Sequence, residues 1–196
     1  MGSCNRIGII VALAVALGLG GAALADDRKV PPAPQPGPEL AHLKQMEGTW
    51  AATVKMGDME SQATATYRME CGGLWLVSNF KGSFGGQPFQ GRGLESYDAA
   101  KKKYVSVWVD SMVTTPMILE GTYDDEKKAM IMTGEMPGPD GKMTKVKTVA
   151  EVKDPKTVVW TMYSIAKEGQ EQPMMTITYS RKATVRSRPK AASVRD

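Results

Sequence analysis

One histidine and two cysteines in 196 residues leave little from which to build a reactive centre. A zinc shell needs several thiolates or imidazoles, and no HxH, HExxH or CxxC spacing is present. His42 precedes the first expected strand, a poor place from which to ligate haem inside a fold. Nucleophilic hydrolysis needs a base beside the nucleophile. Ser83, in Gly82-Ser83-Phe84-Gly85, lacks the residue between glycine and serine that a nucleophile elbow requires. Gly91-x-Gly93 has neither the third glycine nor the following helix of a dinucleotide fingerprint, and Asp124-Asp125-Glu126 lacks EF-hand spacing. No metal, no cofactor and no catalytic residue is expected.

Cysteine scarcity also bears on stability. Cys4 lies in an apparent export leader, Met1 to Ala25, where Arg6 is the positive region, Ile7 to Leu19 the apolar run and Ala23-Leu24-Ala25 the cleavage site. That run is too short and glycine-rich for a stable membrane span, and no other long apolar run follows. Export to a periplasm or beyond, with cleavage near Ala25, is the expectation. Cys71 is then alone, so no disulfide framework forms and a core must hold the fold. Cys71 is expected to be a buried, inert thiol.

Charge of one sign is missing from the body. The formal net charge is +4, yet from Arg181 onward there are six basic residues and one acidic. Without these and Arg6, the chain carries 18 basic and 20 acidic residues. A nucleic-acid surface places its positive charge on a folded face, so no nucleic-acid partner is expected. The stretch Asp26 to Pro38, DDRKVPPAPQPGP, reads as a proline-rich tether, and Lys182 to Asp196 as a basic disordered tail. Between them Glu39 to Arg181 is one domain.

What is there is alternation. Tyr104, Ser106, Trp108 and Asp110 share one face of a strand whose other face carries Val105, Val107 and Val109. After one helical segment, Glu39–Met46, ten strands are expected: Thr49–Met56, Ser61–Glu70, Trp75–Phe84, Pro88–Tyr97, Lys103–Ser111, Met117–Tyr123, Met130–Glu135, Thr144–Val152, Thr157–Ile165 and Met174–Arg181. Short turns join them, two of which, Tyr97-Asp98 to Lys102 and Tyr123-Asp124 to Lys128, echo each other. Short connections favour antiparallel neighbours, and closing the sheet removes exposed edges. The expected fold is all-β, a single up-and-down antiparallel barrel of about ten strands with a short N-terminal helix.

A set of blocks in order carries a resemblance. They are His42-Leu43, Gly48-Thr49-Trp50, Gly72-Gly73-Leu74-Trp75-Leu76, Pro88-Phe89-Gln90-Gly91, Gly93-Leu94, Tyr97-Asp98, Lys102-Lys103-Tyr104, Trp108-Val109-Asp110-Ser111-Met112, Glu120-Gly121-Thr122-Tyr123 and Tyr179-Ser180-Arg181. Together they resemble the bacterial proteins grouped as domain of unknown function 1579, with Ser96 standing where glycine is usual. The resemblance implies a calycin-like barrel akin to lipocalins and fatty-acid-binding proteins, and brings no activity with it.

The candidate lumen residues are Trp50, Trp75, Asn79, Glu95, Tyr97, Tyr104, Trp108, Asp110 and Trp160: aromatic walls with a few polar groups. A carboxylate in such a cavity has its pKa raised unless a partner such as Arg68 or Arg92 compensates. Nine of the 14 methionines lie in the second half of the chain, where flexible thioethers suit either an adaptable lining or a core. The reading is a non-catalytic exported barrel binding a small apolar or amphipathic ligand. The alternatives are a filled barrel serving structure or protein interaction, and a hydrolase or isomerase using Asp110 and Glu95.

Overall fold

The computed structural model describes residues 32–138 and 141–183. The expected leader, the first residues of the tether and nearly all of the basic tail lie outside the described residues. Helix α1, Leu40–Lys44, is followed by β1 Gly48–Met56, β2 Met59–Glu70, β3 Trp75–Phe84, β4 Gln87–Asp98, β5 Lys103–Asp110, β6 Met117–Asp124, β7 Ala129–Pro137, β8 Met143–Asp154, β9 Thr157–Ile165 and β10 Glu171–Arg181. Each strand pairs antiparallel with the next, and β10 returns to β1, from Trp50 opposite Arg181 to Lys55 opposite Thr176. The barrel is closed, so every strand finds its ladder partners within the sheet.

The turns explain the short connections. Asp98 accepts the backbone amides of Ala100 (2.9 Å) and Lys101 (3.1 Å), and Asp124 accepts that of Lys127 (3.0 Å). In each turn a lysine, Lys102 (φ 54°) or Lys128 (φ 50°), takes the left-handed conformation before the next strand begins. The echo in the sequence is thus a repeated hairpin geometry.

Helix α1 is shorter than its apolar spacing suggests, ending before Gln45, and buries Leu40 and Leu43 against one end of the barrel. Several bonds fix it there. Trp50 Nε1 donates to the Met46 carbonyl (2.8 Å), Tyr104 OH to that of Glu39 (2.8 Å), and the Met69 amide to Glu47 Oε1 (3.0 Å). Arg181, at the end of β10, lays its guanidinium over the Trp50 ring at 4.1 Å. It donates to the carbonyls of Glu47, Gln45 and Pro155. One planar, five-donor side chain therefore joins the last strand, the first strand and the segment after α1.

Cys71 is a correction to the expected buried thiol. It is exposed, in a 3₁₀ turn with φ 51° between β2 and β3. The turn, not the strand ladder, sets its environment. Among the described residues, no helix is long and apolar enough to cross a membrane.

Candidate functional site

Inward positions follow from register. Even-numbered residues of β1, β3 and β5 face the interior, as do odd-numbered residues of β2, of β4 and, from Met175 onward, past a register shift, of β10. The interior is not filled. A cavity of about 1100 Å³ runs from beneath α1 and Arg181 to the loops at the opposite end. There Met112 and Val113 both line it and meet solvent, 56% and 48% exposed. Ten of the 13 methionines among the described residues contribute to its wall. Most of the thioethers therefore border empty space, and an unbranched, polarisable chain suits a wall that reshapes around different occupants.

Of the residues expected in the lumen, Trp50, Glu95, Trp108, Asp110 and Trp160 line the cavity. Four do not. Tyr97 and Tyr104 pack edge to face, 5.1 Å between centroids, toward the helix end. They border a separate recess of about 380 Å³ with His42 and Tyr123. Burial beside Glu39 pushes the Tyr104 phenol up to about 12. Trp75 and Asn79 lie on the outer face of β3, because Leu76, Ser78 and Phe80 take the inward positions. Asn79 Oδ1 there accepts Arg92 Nε at 2.9 Å. The expected arginine partners fail for the same reason: Arg68 and Arg92 are exposed, at the outward parity of β2 and β4.

Asp110 holds a ring in place. Its Oδ2 accepts Trp108 Nε1 (2.9 Å) and its Oδ1 the Met112 amide (2.8 Å), so the carboxylate is shared between indole and chain. Gly91 and Gly93 on β4 make room for that indole. A Cβ added at Gly91 would sit 2.1 Å from Trp108 Cζ2. The block Gly91-x-Gly93 and the block Trp108-x-Asp110 thus form one device, a tryptophan laid flat across a bare backbone and pinned by an aspartate.

Glu95 is differently placed. In register it stands between Leu76 of β3 and Ser106 of β5. No hydrogen bond or ion pair reaches its side-chain carboxyl among the described residues, and burial alone raises that group to about 7. Its remaining accessible surface faces the cavity. Two phenols complete the surroundings, Tyr67 of β2 and Tyr179 of β10, which also line the cavity and meet edge to face at 6.2 Å. Burial pushes Tyr67 well up, with the Tyr179 and Glu95 charges adding to it, and holds Tyr179 at about 12. The neighbourhood of Glu95 is therefore acidic and phenolic, and among the described residues no cation pairs with it. Sequence reasoning missed both tyrosines. They lie 112 positions apart and become neighbours only through the β10–β1–β2 closure.

His42 packs against the barrel end, stacked on Tyr123 at 3.7 Å, with Nε2 4.0 Å from Asp125 Oδ1 and a buried Nδ1 that has no partner. Among the described residues no group of three or more histidine, cysteine, aspartate or glutamate side chains could hold a metal ion.

These features define a closed ten-stranded antiparallel barrel with a hollow, apolar lumen and a carboxylate in its wall. Residues 35–181 match the family described as "Protein of unknown function (DUF1579)", and the chain belongs to that family. No curated protein matches it significantly. Among solved structures it is similar to Rv2717c from M. tuberculosis, at 15% identity and a TM-score of 0.53 over 75% of this chain and 99% of that one. It is also similar to the S-type phycobiliprotein lyase CPES from Guillardia theta, at 9% identity and 0.50, over 76% and 99%. A de novo designed fluorescence-activating β-barrel matches at 18% identity and 0.40, over 71% and 95%. For the first two, at these identities, the likeness is one of fold alone.

Proposed function

We propose that this protein is a calycin-like carrier whose lumen takes up a small apolar or amphipathic molecule. The observation behind the reading is the cavity: about 1100 Å³ of space walled chiefly by thioethers and aromatic rings. Small-molecule sites run from about 300 to about 1,000 Å³, so this lumen stands at or just above the top of that range. A barrel serving only as a structural module gains nothing from leaving such a volume empty, since voids forfeit packing contacts. The indole of Trp108 and the rings of Trp50 and Trp160 supply flat walls, and the methionines an adjustable remainder.

The neutral probe N-phenyl-1-naphthylamine tests this. Its fluorescence should rise on entering the lumen, with tryptophan quenching in parallel, and saturate at one probe per chain. Absence of uptake would leave the filled or interaction-only reading. Native mass spectrometry of protein purified from its own host should show a retained adduct. Export is part of the same proposal: the mature chain should begin at Asp26, read from the intact mass of the exported protein.

A further inference from the structure

Resting on the carrier reading, we propose that the lumen is selective for apolar molecules bearing a cationic amine, seated with the ammonium group against the Glu95 carboxylate. A carboxylate is a strong acceptor in a low-dielectric site, and leaving it unpaired is costly. Yet nothing among the described residues pairs with Glu95, and its accessible surface faces the empty lumen. The groups around it define what can satisfy it. β3 and β5 present Leu76 and Ser106 beside it, while Tyr67 from β2 and Tyr179 from β10 are the titratable groups facing it.

The lumen's other ionisable groups are either engaged or at the ends. Asp110 is held by Trp108 and Met112. Arg181 is spent on carbonyls beside Trp50, and His42, Asp125, Lys128, Lys153 and Asp154 border the cavity at the helix end. An anionic ligand would meet a carboxylate that no basic side chain among the described residues pairs with. A cationic amine would gain an ion pair with Glu95, and phenol oxygens and the Ser106 hydroxyl could accept its remaining protons. The apolar remainder of the molecule would lie among the methionines.

Three twelve-carbon competitors separate the possibilities: dodecylamine, dodecanol and dodecanoate, each displacing N-phenyl-1-naphthylamine from the full chain. At about pH 8, dodecylamine should compete roughly tenfold better than dodecanol, and dodecanoate worst. The amine stays charged throughout, so its advantage should shrink toward about pH 5 as Glu95 takes up a proton. In Glu95→Gln the advantage over dodecanol should vanish, amine and alcohol competing equally for the lumen. Probe uptake with equal competition by amine and alcohol, or a preference that survives Glu95→Gln, overturns the inference and leaves the carrier reading standing. Failure of the wild type to take up the probe overturns both. If Glu95→Gln does not fold, the wild-type pH series decides alone: a preference for the amine that does not change with pH overturns the assignment to Glu95.

Discussion

At the scale of single residues, Glu95 carries a stability signature separate from any ligand. Its folded carboxyl sits at about 7 against 4.5 for an ordinary glutamate, so between those values the folded chain binds more protons than the unfolded one. Stability therefore falls as pH rises from about 4.5 to 7 and is flat above. The full cost of the ionised group amounts to ~3 kcal/mol. Glu95→Gln should raise the unfolding free energy read from urea titration by up to that amount at about pH 8 and by little at about pH 5. An equal gain at both pH values would show that the carboxylate is not desolvated. The Trp108 device makes a second demand. Gly91→Ala places a methyl inside the indole ring, so either Trp108 or β4 must move, at a cost of about 1–3 kcal/mol. Trp108 should then lose its bond to Asp110, which a change in near-ultraviolet circular dichroism would report.

At the scale of elements, the strands were legible because their alternation and turn chemistry are local. Trp75–Phe84 and Thr157–Ile165 begin and end where the pattern places them, and the other strands differ by one to three residues at their ends. α1 stops at Lys44. Beyond it the Met46 and Glu47 amides make i→i+3 bonds to the Leu43 and Lys44 carbonyls and the Met46 carbonyl accepts Trp50 Nε1, none of which the apolar spacing at Leu40, Leu43 and Met46 shows. Parity was legible too, but which parity points inward was not. On β3 the outer face carries Trp75 and a buried Val77, so hydrophobicity alone does not distinguish it from the inner face of Leu76, Ser78 and Phe80. Trp75 and Asn79 were misplaced for that reason, and Arg68 and Arg92 with them. The clamp at the helix end was invisible because it joins Arg181 to Gln45 and Glu47 across the closure. It is testable as an element. Arg181→Lys keeps the charge but loses the planar fork and much of the stacking on Trp50. It should cost about 2 kcal/mol by chemical denaturation. Amide exchange over residues 40–47 should speed up well beyond that in the strands.

For the whole molecule, the hollow barrel predicts opposite responses at two alanines. Ala52 on β1 is fully buried, between Tyr179 and Ala63. Ala150 on β8 stands between Met130 and Trp160 and borders the cavity. In a filled interior the two sites are alike, and a phenyl ring at either one forces neighbours off their rotamers at about 1–3 kcal/mol or more. In a hollow one they differ in sign. Ala52→Phe should lower the melting temperature by several degrees, since a 1 kcal/mol loss moves a domain of this size by about 2–8 °C. Ala150→Phe should leave the melting temperature unchanged or raise it, because the ring gains contacts in space that was empty. The same ring occupies volume a ligand would use, so Ala150→Phe should weaken uptake of N-phenyl-1-naphthylamine roughly tenfold while the fold stays intact. Equal destabilisation at both positions would mean that side chains close the lumen in solution. The methionine wall would then be packing, and the carrier reading would give way to a solid barrel acting through its outer surface.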